Sequence, residues 1–120
     1  MSDYRGKKIL RGKGEVNSTS PLLSAIASPG SDSYVLIEKI IVSVFVAGVG
    51  GDGILTVQDT NGEVLIKIPT AKIGVHLIDY GEGGWILVKG TGVDCIVSDS
   101  TVSQASCSVN IVGQLRNFID

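Results

Sequence analysis

IIVSVFVA, at residues 40–47, decides the fold. Ile40, Ile41, Val42, Val44 and Val46 are β-branched, which favours strand over helix. Successive strand side chains point to opposite sides, so Ile40, Val42, Val44 and Val46 share one face. Ile41, Ser43, Phe45 and Ala47 share the other. A half-buried strand alternates apolar with polar residues, yet both faces here are apolar apart from Ser43. A chain of 120 residues does not easily bury both faces of one strand in a single sandwich core. The spare face is expected to meet a partner subunit.

Working outward, turn signals recur about every ten residues, the spacing of an all-β sandwich or barrel. They are Ser28-Pro29-Gly30-Ser31-Asp32, the glycine-rich run 48–53, Asn61-Gly62, residues 70–74, residues 81–84 and Gly90-Thr91-Gly92. Between them the pattern predicts strands over 34–47, 54–58, 63–68, 75–80, 85–88, 93–98 and 106–115. Weaker strands are expected at 8–16 and 22–27, giving about nine, with no helical period. Asn61-Gly62 suits the positive φ angles of a primed turn, so the flanking strands should form a tight hairpin.

Hydrophobic residues make up 43% of the chain and charged residues 18%, which excludes a disordered protein. Mean hydropathy is +0.34, more apolar than a small monomer normally hides. No apolar run reaches the roughly 18–20 residues of a membrane helix. The start, MSDYRGKKIL, lacks the apolar core of a secretory signal. The net charge of −2 conceals an asymmetry. Arg5, Lys7, Lys8, Arg11 and Lys13 stand against Asp3 alone in the first 13 residues, whereas residues 14–115 carry four lysines and ten carboxylates. The expected organisation is a basic arm at 1–13, a sandwich at 14–115 and a short tail at 116–120. The five cations of the arm are its attachment candidates, reaching for an acidic surface. A solvated, frayed terminus is the plainer reading.

Reactive chemistry is sparse. The run 48–53 is followed by a strand pattern rather than a helix, so it is a loop and not a phosphate cradle. Asp52, Asp59, Asp79, Glu82, Asp94 and Asp99 are scattered and lack the ladder of a calcium loop. One histidine, His76, and two cysteines, Cys95 and Cys107, give no zinc pattern. The cysteines are either small core residues or one cross-strand disulfide. His76 lies between Val75 and Leu77 and is expected to face solvent or a polar interface. Trp85, beside Tyr80 across a glycine turn, is expected in the core or a subunit interface. No catalytic set, cofactor site or metal site emerges, and nucleic acid has only the arm to contact.

SYVLIEKIIVSVFVAG, ILTVQDTNGEVLIKIP and GVHLIDYGEGGWILVKGTGVDCIV, spanning residues 33–97, together resemble the small jelly-roll virion proteins of tailed phages, of the capsid decoration (auxiliary head) type. The resemblance is one of pattern and carries over no residue-level motif. It implies a trimer, an N-terminal attachment arm, and a virion location after synthesis in the host cytoplasm. The implied partner is the major capsid protein or another virion protein. Base rates for oligomers favour a dimer instead. The sequence therefore reads as a non-enzymatic antiparallel β-sandwich that self-associates through Ile41, Ser43, Phe45, Ala47 and Trp85. The competing reading is a carbohydrate- or receptor-binding module built on Tyr80 and Trp85. Clustered exposed aromatics around a groove would favour that module, and an apolar face without one would favour assembly.

Overall fold

The computed structural model describes residues 8–17, 20–48, 53–81, 83–98 and 105–117, and among them every regular element is a strand. The strands are β1 (Lys8–Asn17), β2 (Leu22–Ile26), β3 (Ser33–Val46), β4 (Ile54–Asp59), β5 (Val64–Pro69), β6 (Gly74–Asp79), β7 (Trp85–Ile86), β8 (Val93–Ser98) and β9 (Ser106–Asn117). One sheet runs β1-β9-β3-β6, with the two-residue β7 also on β3; the other runs β2-β8-β4-β5. All pairings are antiparallel. Each sheet takes strands from both ends of the chain, and this order is the double Greek key of a jelly roll. The nine expected strands are all present; the expected 85–88 strand contracts to β7.

The core lies between the sheets. β3 contributes Val35, Ile37, Ile40, Val42 and Val44, and β9 contributes Cys107, Val109 and Ile111. Leu55, Val57, Val93, Cys95 and Val97 face them from the other sheet, all essentially buried. Strict alternation would put Ile37 and Ile40 on opposite faces. A bulge between Ile37 and Lys39 absorbs one residue and returns both to the core. A second register shift between Val44 and Val46 leaves Phe45 and Val46 both 44% exposed. Val46 therefore departs from the face it was expected to share with Val44.

The sandwich closes tightly where β1 meets β2. A Cβ on Gly12 would overlap the Ala25 carbonyl and Ile26, and one on Gly14 would press on Leu23. The absence of side chains there lets the two backbones approach.

The Asp59–Glu63 connection corrects the primed-turn expectation. Gly62 N–H donates to the Asp59 carbonyl at 3.0 Å. Only Gly62, at φ 93°, is left-handed, so Asn61 is not. A type I turn followed by a left-handed glycine joins the strands, the three-residue hairpin form. The Asp59 side chain holds it: Oδ1 accepts the N–H groups of Asn61 at 2.8 Å and Glu63 at 2.9 Å. Asp59 is 1% exposed. Asp59→Ala should lower stability by about 1–3 kcal/mol, read from the midpoint of urea unfolding with slope unchanged.

Both domain boundaries shift. Lys8 to Lys13, counted with the arm, are strand residues paired to Leu115–Asn110 of β9. Arg116, counted with the tail, pairs with Tyr34. β9 has a backbone partner on each side, and those ladders extend the sheet past both boundaries. Residues 1–7 and 118–120, with Arg5 and Lys7, lie outside the described residues.

Candidate assembly surface

Residues directly opposite one another in a ladder share a side of the sheet. The outer side of the first sheet can therefore be read row by row. One row runs Arg11, Val112, Lys39, Asp79; the next Lys13, Asn110, Ile41, Leu77; the third Glu15, Ser108, Ser43, Val75. The face grades from charged at β1 to apolar at Val75 and Leu77 of β6, with charged Asp79 at the end of that strand. Val75 is 69% exposed and Leu77 62%, and Ile73 just before β6 is also bare. Phe45 lies at the end of β3 on the same side, while Ile41 and Ser43 are half-buried.

His76 corrects its expectation. It pairs with Val42, and Ile78 with Ile40, so both turn toward the inner side and His76 is half-buried. Its apolar neighbours Val75 and Leu77 are the ones facing out. The register against β3 sets this phase, and the polarity of one histidine does not override it. Val75, Leu77 and Ile73 are thus surface residues the sequence reading missed. Their common parity was visible, but the polar residue at 76 pointed the wrong way.

The interface candidates from the sequence do not all converge. Ile41, Ser43 and Phe45 lie on the outer face, and Ala47 is half-buried just past β3. Trp85 pairs with Ile37 at the other end of β3 and is 38% exposed. Its ring meets Tyr80 edge-on, with centroids 5.4 Å apart. Tyr80 packs against the core, and burial raises its phenol pKa. The pair is braced against itself and the core rather than laid open as a flat platform for a sugar.

Of the arm candidates, Arg11 and Lys13 are exposed on the outer face of β1, and Lys8 begins that strand. Arg11, Glu38, Lys39, Asp79 and Val112 line a shallow depression. Beside it, Arg116 Nε and Nη2 donate to Gln114 Oε1 at 3.0 and 2.9 Å, and Gln114 Nε2 donates to Glu38 Oε2 at 3.4 Å.

Among the described residues no three His, Cys, Asp or Glu side chains gather as metal ligands. Asp52, Glu82 and Asp99 lie outside the described residues. Cys95 and Cys107 are both buried thiols with no disulfide between them. Burial pushes the Cys95 thiol up to about 12, with Asp94 and Cys107 adding to it. An acid held neutral by folding contributes stability that is complete below its unfolded value near 9. That contribution is lost as pH rises toward the folded value, at up to about 1.4 kcal/mol per pH unit. Unfolding midpoints should fall between pH 9 and 12, and Cys95→Ala should flatten the fall. Thiol reagents should label the native chain only after denaturation.

No protein-family model matches this sequence, and no curated protein does. Solved structures are similar to it. A chain in the acidic stable capsid structure of Helicobacter pylori bacteriophage KHP30 superposes with a TM-score of 0.56 at 10% identity, over 90% of this chain and 92% of that one. A chain of the giant freshwater prawn Macrobrachium rosenbergii extra small virus VLP aligns at a TM-score of 0.36 and 12% identity, over 88% and 79% of the two chains. The likeness to the phage capsid chain is one of fold, and it agrees with the resemblance to small jelly-roll virion proteins drawn from the sequence.

Proposed function

We propose that this chain is a non-enzymatic structural virion protein that self-associates and attaches to a capsid or another phage particle surface as a decoration protein. The observation that carries the reading is the outer face formed by Ile41, Phe45, Val75 and Leu77, on a sandwich whose own core is complete without it. Contiguous exposed apolar surface on a small domain marks an interaction site. Each copy buries the inner face of β3 in its own core and turns the outer face to a neighbour. The fold shared with a phage capsid chain supports the virion setting. In lysates of the infected host the chain should co-sediment with assembled particles, and antibody to it should label them. Recovery of the chain only in the soluble fraction would contradict the proposal.

The basic N-terminus supplies a second contact, electrostatic in nature. Deletion of residues 1–7 removes Arg5 and Lys7 without touching β1, and should leave the fold intact while weakening attachment at low salt. Raising salt from 0.1 to 1 M, where the Debye length falls from about 10 to about 3 Å, should weaken the full chain in the same way. Particle binding equal for both chains at both salts would remove the arm from the account.

A further inference from the structure

We propose that two copies of this chain pair edge to edge through β6, related by a two-fold axis at His76, so that the first sheet continues from one copy into the next. The proposal rests on the reading of the chain as self-associating and names how the neighbour arrives.

Among the described residues β1, β6, β2 and β5 end the two sheets, with the two-residue β7 beyond β6 along the same side of β3, and natural proteins blunt such edges with lysine, proline, bulges or a covering element. β1 carries exposed Arg11 and Lys13. β2 has a bulge and lies against β1. β5 has Lys67, Pro69 and a register shift against β4. Among the described residues β6, GVHLID, has none of these devices, pairs with β3 without a break, and presents apolar Val75 and Leu77 on its outer side. A groove of about 480 Å³ runs past Lys72, Ile73 and His76 at its start.

The direction of its free backbone groups follows from one hydrogen bond. Tyr80 N–H donates to the Glu38 carbonyl at 2.8 Å. Alternate residues of an antiparallel strand face the same neighbour, so Ile78, His76 and Gly74 direct their polar backbone groups at β3. Val75, Leu77 and Asp79 direct theirs outward, at the open edge.

A two-fold centred on His76 matches these groups. Val75 of one copy then exchanges both backbone bonds with Leu77 of the second, and Leu77 with Val75. On the outer side the four side chains form an apolar strip flanked by Ile41 of each copy. The same register sets Asp79 of each copy opposite Ile73 of the other, and Lys72 opposite Tyr80. A two-fold centred on Leu77 would instead set Val75 against Asp79.

The two His76 residues would form a non-hydrogen-bonded pair, with Cβ atoms about 4.5–5.5 Å apart. That spacing lies near what a disulfide needs. His76→Cys should therefore give a covalent dimer of twice 12.5 kDa under mild oxidation, the native cysteines being buried. Leu77→Cys should not. Val75→Pro removes an outward N–H and leaves the β3 ladder whole, so its mass by light scattering should fall to that of one chain. Cross-linking at 77 in place of 76 overturns the register. Assembly that survives Val75→Pro, with no cross-link at 76, overturns edge pairing but leaves self-association standing. A monomeric unmodified chain overturns both.

Discussion

Val44→Asp should fail to fold, while its neighbour Phe45→Asp should fold normally and lose assembly. Val44 is fully buried and pairs with Cys107, which is also fully buried in the core. A carboxylate there has no partner, and leaving one uncompensated in an apolar interior costs several kcal/mol. That is a large fraction of the ~5–15 kcal/mol a small domain has in total. Phe45 is 44% exposed on the outer face, so an aspartate at that position stays hydrated. The unfolding midpoint of Phe45→Asp should stay close to the parent's. Its association should weaken about fivefold or more, as expected when an aromatic contact of more than about 1 kcal/mol is lost. Circular dichroism and sedimentation separate the two outcomes. If both variants unfold, the outer face is part of the core; if both fold and assemble normally, it is neither core nor interface.

Gly12→Val should be among the most damaging surface-strand substitutions, costing more than about 3 kcal/mol. The obstacle is backbone, the Ala25 carbonyl, which cannot swing away as a side chain can. Gly14→Ala, two residues on, meets only the end of the Leu23 side chain and should cost about 1 kcal/mol. Equal effects for the two would mean that β1 and β2 are free to separate and that the sandwich is not closed at this side. Urea unfolding of the two variants measures the difference.

Both predictions turn on which side of the sandwich a residue faces, and the sequence revealed that unevenly. The inward phase of Ile40, Val42 and Val44 follows from Ser43, the one polar residue of IIVSVFVA, which marks the opposite face as the outer one. The phase of β6 does not follow. GVHLID has apolar residues at both parities, so only pairing with β3 decides that Val75 and Leu77 face out. The bulge at Glu38 and the shift near Phe45 leave no mark in composition, since an extra residue in a strand looks like any other. Lys8 to Lys13 read as a charged arm because cations dominate the run. The alternating Gly12, Gly14 and Val16, which carry the inward side of β1, were the weaker signal. The surplus of apolar surface was evident from 40–47, but half of the face that displays it lies on β6.

The mass of the unmodified chain in solution tests self-association most directly. Light scattering at micromolar concentration and 0.1 M salt should give a closed multiple of 12.5 kDa, twice that value if the β6 edges pair. A mass of 12.5 kDa that persists to millimolar concentration would contradict the account, leaving the outer face of β3 and β6 without a second copy to cover it.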